Sequence, residues 1–295
     1  MDVSVVIATK DRSRALARAL RSLELQRAAP AFEVVVVDNG STDATAAIVE
    51  AQVKRGAYPV CYVYEAEPNR GAARNRGIDV ASGALIVFCD DDVQAPRHWL
   101  AAHARAHEGR SRTVVNGPII NVSSYDSYPN PTPANYSGAF FCTCNVSVPR
   151  AALREVGGFD ENFDLYGWED TELGVRLREA GVRRRFAWDA EIWHVKLAAE
   201  NALDVEARKT VERARMAHKF IAKHPSRRAR AATGAYAFNF WRARLTPKWV
   251  LPAYAGAATW DRLPPWLRAI ARARFLDQLY VRELSSSRPV DDPER

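Results

Sequence analysis

Ala84-Leu-Ile-Val-Phe-Cys-Asp-Asp-Asp92 is the stretch that decides the fold of this chain. Its first part is a short apolar run, which is typical of a strand buried on both faces of a mostly parallel sheet. The run ends abruptly in three adjacent carboxylates, Asp90, Asp91 and Asp92. Because open α/β sheets bind ligands at the carboxyl ends of their strands, we expect the three aspartates to lie in a binding crevice.

The three aspartates allow two interpretations. In an extended chain, Asp90 and Asp92 would point to one side and Asp91 to the other. Neighbouring carboxylates repel one another, and a hard divalent cation that carries a phosphorylated ligand would relieve this, because Mg²⁺ and Mn²⁺ take oxygen ligands. The alternative is a solvated acidic turn. The sequence favours the metal site and leaves the acidic turn open.

Strands alternate with helices on the amino-terminal side of this stretch. This alternation is the pattern of a parallel sheet with helices on its faces, so the sequence predicts an α/β fold. Strands are predicted at residues 3–8, 32–37, 60–64, 85–89, 113–122, 140–148 and 183–193. Residues 123–138 are predicted to form a loop and residues 170–180 a helix.

Composition and charge set broad limits on function. The 295 residues are 47% hydrophobic, enough for a large core, and the net charge of +7 suits an anionic substrate, an anionic membrane surface or nucleic acid. The start of the chain is too short and acidic for a signal peptide, and no run approaches the length of a membrane span. The four cysteines are interpreted as reduced thiols. The sequence therefore predicts a cytoplasmic protein, either free or peripheral at the inner face of the membrane.

Five motifs, in this order, resemble glycosyltransferase family 2. They are Val5-Val-Ile-Ala-Thr-Lys-Asp-Arg12, Val36-Val-Asp-Asn-Gly-Ser-Thr-Asp43, Asn69-Arg-Gly-Ala-Ala-Arg-Asn75, the triple Asp, and Gly158-Phe-Asp with Gly167-Trp-Glu-Asp-Thr-Glu-Leu173. The last segment, followed by His194, also resembles the C-terminal half of β-1,4-galactosyltransferases. The resemblance covers about residues 1–195. It implies a GT-A fold, which is Rossmann-like, with a mixed, mostly parallel sheet flanked by helices.

The resemblance implies a nucleotide-sugar donor. Asp38 matches the carboxylate that accepts the ring N–H of uracil, and a carboxylate is a pure acceptor. Guanine and thymine also offer a ring N–H, so UDP is favoured without excluding the others; a turn or cap role for Asp38 stays open. The residues that match the nucleotide site are Ala8, Thr9, Arg12, Asp38, Arg70, Arg74, Asp90 and Asp91.

The resemblance also implies a divalent cation. Asp92 matches the residue that ligates the metal, with Asp90 beside it, and His194 stands where similar sequences close the metal site. An imidazole among carboxylates favours Mn²⁺ over Mg²⁺. The alternative for His194 is a structural histidine.

The implied chemistry is transfer of a sugar to an acceptor hydroxyl with inversion. Asp170 matches the general base, and Glu169 a sugar or acceptor contact, as do Trp168 and Asn145. Asn145 can equally be a buried strand residue satisfied by the backbone. A retaining mechanism and an inactive nucleotide-sugar-binding module are the alternatives.

The sequence predicts three parts: a GT-A domain at residues 1–197, a helical C-terminal extension at 198–284 and a disordered tail at 285–295. The extension combines four tryptophans with many arginines, which suits an anionic membrane surface. The alternative is that the same faces pack on the catalytic domain or in a homodimer. The expected partners are the donor and a carbohydrate or glycoconjugate acceptor. No nucleic acid is expected, because no helix-turn-helix, zinc-finger or RNP-type signature is present.

Overall fold

The structure is a computed structural model that describes residues 1–196, 202–247 and 249–286. The chain divides into two compact units. The sheet unit consists of Met1–Asp164 and Glu169–Leu197, and the helical unit of Leu165–Trp168 and Ala198–Arg295. The tail predicted at residues 285–295 lies outside the described residues, apart from two serines that end the last helix.

The sheet unit is built around seven strands. In sequence they are β1 (Val3–Thr9), β2 (Phe32–Asp38), β3 (Val60–Tyr64), β4 (Leu85–Cys89), β6 (Thr113–Asn116), β8 (Asn145–Pro149) and β9 (Arg183–Phe186). Their order across the sheet is β3-β2-β1-β4-β8-β6-β9. The first four strands are mutually parallel, β8 is antiparallel to both its neighbours, and β9 is parallel to β6. The predicted mixed, mostly parallel sheet is confirmed.

Helices cover both faces of this sheet. They are α1 (Ser13–Glu24), α2 (Thr45–Arg55), α3 (Arg70–Val80), α4 (Trp99–His107), α5 (Arg150–Glu155) and α6 (Glu169–Glu179), with a 3₁₀ turn at Pro133–Asn135. On one face, Leu16 and Leu20 of α1 pack on β1 and β2; on the other, Leu173 and Leu177 of α6 pack near β4 and β8. The apolar run of β4 is buried between them, as its sequence predicts.

A second, small sheet carries His194. It consists of β5 (Val93–Gln94), β7 (Ile119–Val122) and β10 (Ile192–Val195), in the order β5-β10-β7. β10 is antiparallel to β5, and His194 lies opposite Val93, the residue after Asp92. This pairing holds His194 beside the end of the triple-aspartate segment.

Three predicted strands need correction. Residues 113–122 and 183–193 each form two short strands, and the members of each pair belong to different sheets. Residues 140–144 are not in a strand, because β8 begins only at Asn145. The first break lies at Gly117, where an added Cβ would stand 1.8 Å from the Ala190 carbonyl oxygen. Close approach of two backbones, which a glycine permits, therefore ends β6.

The helical unit contains five helices among the described residues. They are α7 (Leu203–Lys223), α8 (Arg227–Thr233), α9 (Ala237–Leu245), α10 (Val250–Thr259) and α11 (Pro265–Ser286). Ala214 and Ala217 of α7 form a small core with Ala235 and Leu284. No helix in the described part of the chain is both long and apolar enough to cross a membrane.

Candidate functional site

Side chains from three strand ends meet around the triple aspartate. Thr9, the last residue of β1, donates its hydroxyl to Asp91 Oδ2 at 2.6 Å. Arg12 Nη1 donates to Asp91 Oδ1 at 3.0 Å and to Asp92 Oδ2 at 2.8 Å. Burial raises the pKa of Asp91 to about 6, although Arg12 and Thr9 oppose the rise. The chain is not extended through the three aspartates, since β4 ends at Cys89 and a turn follows. Asp91 and Asp92 share Arg12, whereas Asp90 and Asp92 both lie near His194.

Asp92 and His194 face each other across the site. His194 Nε2 lies 3.1 Å from Asp92 Oδ1, which is the length of an ion pair. The contact lacks hydrogen-bond geometry, so Oδ1 is a buried oxygen with no hydrogen-bond partner among the described residues. His194 Nδ1 lies 3.0 Å from Asn121 Oδ1, and this contact holds the ring with Nε2 towards Asp92. Burial would raise the pKa of Asp92, but His194 and Arg12 outweigh it and hold the pKa below its usual value.

Asp90 brings a thiol into the same cluster. One ligand atom each of Asp90, Cys144 and His194 lie within 4.8 Å of one another. Burial, and then the neighbouring aspartates, raise the pKa of the Cys144 thiol well above its usual value. Carboxylate, imidazole and thiol are all metal-ligating groups, and a cation would satisfy the buried Asp92 oxygen that has no hydrogen-bond partner among the described residues. The residues present therefore fit a divalent cation.

Asp38 closes the carboxyl end of β2, opposite Thr9 in the sheet. It is buried, and each oxygen has one partner: Oδ1 accepts from the Ser41 backbone N–H at 2.8 Å, and Oδ2 from the Tyr62 hydroxyl at 2.7 Å. The turn role that the sequence left open is thus present. A carboxylate has further lone pairs, so the contacts to Ser41 and Tyr62 leave acceptor capacity.

Arg74 links the aspartate cluster to the predicted catalytic pair. It is buried, with Nη1 3.2 Å from Glu169 Oε1 and 3.8 Å from Asp170 Oδ1. Burial would lower the pKa of Arg74, but the charges of Asp170, Glu169 and Asp90 outweigh it and raise the pKa. Arg74 thus interacts electrostatically with Asp90 of the aspartate cluster and with the Glu169–Asp170 pair. Its neighbour Arg70 is exposed at the start of α3.

Asp170 has the environment of a proton acceptor. Its Oδ2 accepts from the backbone N–H of Thr143 at 2.8 Å and from the Thr143 hydroxyl at 2.9 Å. Its Oδ1 is buried and has no hydrogen-bond partner among the residues that the structure describes. Burial, aided by the charge of Glu169 and opposed by Arg74, raises the pKa of Asp170 to about 6. A carboxylate with one free oxygen and a raised pKa suits a general base.

Trp168 precedes this pair in a strained conformation. Its φ of +75° follows Gly167 at +100°, and such values are rare for a bulky residue. The ring stacks on Phe220 at 5.0 Å between centroids, and Nε1 donates to the Arg213 carbonyl at 2.9 Å. Both contacts lie within the helical unit. The predicted sugar or acceptor contact of Trp168 stays a prediction.

The predicted donor-sugar contact of Asn145 is corrected by the structure. Asn145 has no exposed surface, and Oδ1 accepts from Trp99 Nε1 and from His103 Nε2, each at 2.9 Å. Its Nδ2 donates to the carbonyls of Pro118 and Ala190. All of its hydrogen-bonding groups are used inside the core, so Asn145 joins β8 to its neighbours.

Sequence reasoning missed three contributors to the site. Thr143 and Cys144 lie outside the five motifs, and only their spatial partners show what they do. Asn121, which contacts His194, lies in the predicted strand at 113–122, where no motif marks it as a site residue. Of the remaining predicted nucleotide residues, Ala8 is half-buried on β1 beside Thr9.

Two family models match the chain. The model described as glycosyl transferase family 2 matches residues 4–154, which is half of the chain. A model described as the N-terminal domain of galactosyltransferase matches residues 129–219. The two resemblances inferred from the motifs are confirmed.

The curated relatives are similar over most of this chain. Validoxylamine A glucosyltransferase from Streptomyces hygroscopicus subsp. limoneus is 30% identical over 76% of this chain and 57% of its own length. Chondroitin synthase from Pasteurella multocida is 25% identical over 71% of this chain and 26% of its own length. The chain spans 57–63% of the length of the first relatives that it matches.

Solved structures show the same fold. Mannosyltransferase PcManGT from Pyrobaculum calidifontis, in complex with GDP-Man and Mn²⁺, superposes with a TM-score of 0.63 at 18% identity, covering 96% of this chain and 85% of that one. S. aureus TarS 1-349, in complex with UDP-GlcNAc, gives 0.58 at 20% identity, with 97% and 91% covered. With the family model, the order of its motifs along the chain and this fold in agreement, the chain belongs to glycosyl transferase family 2.

Proposed function

We propose that this protein is a glycosyltransferase that moves a sugar from a nucleotide-sugar donor to an acceptor hydroxyl with inversion. The observation that carries the proposal is the pair of sites joined by Arg74: the aspartate cluster with His194 on one side, and Glu169 with Asp170 on the other. One site suits a diphosphate and its cation, and the other suits removal of a proton. The names of the relatives and the nucleotide sugars bound in structures of the same fold support this assignment.

The proposed donor is a UDP-sugar, with its base beside Thr9 and Asp38. An acceptor-only carboxylate at the carboxyl end of β2 suits the ring N–H of uracil. Ala8, Arg12 and Arg70 flank the same end of the sheet, and the two arginines suit the anionic diphosphate. A structure of the same fold holds UDP-GlcNAc, which supports this donor class.

The donor assignment is tested by calorimetric titration with UDP, GDP and dTDP. We expect UDP to bind most tightly and Asp38→Asn to lose that preference. Tyr62→Phe is the matched control, because it removes a neighbour of the same carboxylate and leaves the acceptor in place. Tighter binding of GDP or dTDP by the unaltered protein would contradict the assignment.

The proposed cation site consists of Asp90, Asp92 and His194, with Cys144 adjacent. When bound there, a divalent cation supplies positive charge for the departing diphosphate. Arg74 and Arg70 add positive charge from the protein itself. Mn²⁺ is preferred in the proposal because one ligand is an imidazole, and Mn²⁺ is present in two structures of the same fold.

The cation site is tested by direct Mn²⁺ titration, apart from any turnover assay. We expect His194→Ala to weaken Mn²⁺ binding by at least about tenfold, in line with the loss of one ligand. His98→Ala is the control, since His98 also pairs with a carboxylate, Glu191, outside the site. Equal Mn²⁺ affinity in the His194 variant and the unaltered protein would remove His194 from the site.

In the proposed reaction, Asp170 takes the proton of the acceptor hydroxyl through its unpartnered Oδ1. The acceptor oxygen forms a bond to the anomeric carbon as the bond from that carbon to the diphosphate breaks, with the bonding electrons leaving on the diphosphate. Attack from the face opposite the leaving group inverts the anomeric centre. Glu169 holds Arg74 in place beside both groups. Product of retained configuration, measured by NMR, would instead support a retaining mechanism.

A further inference from the structure

The tryptophans of α9, of α11 and of the two ends of α10 are exposed, not packed in a core. Four of them show more than half of their surface to solvent: Trp241 61%, Trp249 69%, Trp260 55% and Trp266 63%. Burying an indole ring is favourable, and four exposed rings lower the solubility of a protein. We therefore expect a partner molecule or a lipid surface to cover them. These four side chains are not part of a core within the described helices.

Two of these rings flank a helix that has no charge. α10 contains no charged residue and no buried residue. Trp249, Ala253, Gly256 and Trp260 are spaced by four, three and four residues, so they share one face, and all four are exposed. This face has a ring at each end and small residues between them.

The neighbouring helices add to the exposed apolar surface. Trp266 and Ile270 stand four residues apart on α11 and are both exposed. Phe238 and Trp241 on α9 are exposed, with ring centroids 6.3 Å apart. Each of α9, α10 and α11 thus presents a pair of large apolar side chains to solvent.

The positive charge of the chain is concentrated in the same unit. Residues 202–286 contain 17 Lys and Arg against 6 Asp and Glu, whereas residues 1–201 contain 23 against 26. Arg227, Arg228 and Arg230 at the start of α8 are exposed. The charge imbalance that the whole sequence shows is therefore a property of the helical unit, and it complements an anionic surface.

We propose that the helical unit docks on an anionic lipid surface, with the exposed tryptophans at the level of the headgroups. Aromatic rings prefer that level, and basic side chains around them add attraction to anionic lipids. A second copy of the chain fits less well, because two units of the same strong positive charge repel each other. Nucleic acid fits less well because the exposed face of α10 has no cation to meet a phosphate. The proposal is independent of the sugar transferred.

The direct test is co-sedimentation of the full chain with vesicles, with no donor or acceptor present. We expect the protein to pellet with vesicles of phosphatidylglycerol and phosphatidylcholine, to stay in the supernatant with pure phosphatidylcholine, and to be released as salt rises. Absence from the anionic pellet at low salt, or equal pelleting with both vesicle types, would overturn the proposal.

Two paired variants separate the apolar and electrostatic contributions. Trp249→Ala with Trp260→Ala should weaken partitioning at least about tenfold, because two rings no longer leave water. Trp188→Ala, an exposed tryptophan of the sheet unit, is the control and should have no effect. Arg227→Glu with Arg228→Glu should also weaken partitioning at least about tenfold. Its control is Arg183→Glu with Arg185→Glu, which reverses two exposed arginines of the sheet unit.

Two further measurements decide against the other occupants. Light scattering of the free protein at low concentration should give the same mass for the unaltered protein and for Trp249→Ala with Trp260→Ala. An oligomer that is lost in the double variant would instead assign this surface to a second copy of the chain. When single-stranded RNA is added to the co-sedimentation assay, the fraction of protein that pellets with the anionic vesicles should stay unchanged. Displacement of the vesicles by RNA would overturn the lipid assignment.

Discussion

Asp170 shows how the position of one residue sets its chemistry. It lies in the first turn of α6 with Glu169 and Glu172, where the helix N-terminus stabilises negative charge. Burial has the opposite and larger effect, and the pKa rises to about 6. The group is therefore ionised near neutral pH and still basic enough to accept a proton.

The first prediction concerns how kcat depends on pH on the acidic side of neutrality. A general base works only when deprotonated, so kcat should rise as pH increases towards about 6 and level off above it. Thr143→Val removes a hydroxyl that stabilises the carboxylate, so the pKa should rise further and the rise in kcat should move to higher pH. Rates of both proteins across pH 4.5–8.5 check this; coincident profiles would contradict it.

The second prediction concerns the loss of the base itself. Asp170→Asn keeps the size of the side chain, so the donor should bind normally while kcat falls by ~10²–10⁴-fold. Calorimetry with UDP and steady-state rates separate the two effects. Near-normal turnover would move the proton transfer to Glu169.

The third prediction concerns Cys144, the unexpected sulfur beside Asp90 and His194. A thiolate prefers soft ions, so Cys144→Ser should weaken Cd²⁺ binding at least about tenfold and change Mn²⁺ binding much less. Cys61→Ser, a half-buried thiol of β3, is the control. Unchanged Cd²⁺ affinity would mean that the sulfur does not reach the ion.

Among the helices and strands, the sequence predicts the bounds of those elements that are continuous runs of one residue pattern. β3 and β4 begin and end at the predicted residues, because each is an uninterrupted run of strand-forming residues. The break between β6 and β7 was missed, although Gly117 and Pro118 are both strand breakers in the sequence; the close approach of the Ala190 carbonyl to Gly117 is visible only in the structure. For Asn145 the sequence left a sugar contact and a buried strand role open, because its partners come from elements distant in sequence; the structure shows the buried role.

The fourth prediction tests this break. In Gly117→Ala, the new Cβ would meet the Ala190 carbonyl and Asn145 Nδ2, so the free energy of unfolding should fall by about 3 kcal/mol. Gly138→Ala, with no atom within 4 Å of the added carbon, is the control and should change it little. Chemical denaturation measures both; equal stability of the two variants would contradict the account.

At the scale of the whole molecule, four residues belong to a different unit from their neighbours. Leu165–Trp168 group with the helical unit, whereas Glu169 begins α6 of the sheet unit. The ring of Trp168 stacks on Phe220 of α7, one residue before the pair that contains the proposed base. The contacts of Trp168 therefore lie within the helical unit, and the residue directly precedes Glu169 in the chain.

The fifth prediction follows from that stacking. Phe220→Leu keeps an apolar side chain but removes the ring, so kcat should fall several-fold while UDP affinity stays unchanged. Phe238→Leu, an exposed phenylalanine of the same unit, should alter neither quantity. A parallel loss of UDP affinity and kcat in Phe220→Leu would point to general unfolding instead.

The ion pairs of Arg12 with two aspartates affect how strongly this segment depends on a cation. The Arg12 guanidinium spans Asp91 and Asp92, so the repulsion among the carboxylates is already relieved by the chain itself. Folding of this segment then does not depend on an ion. If the proposed cation site is correct, removal of the cation should lower turnover without lowering the amount of folded protein.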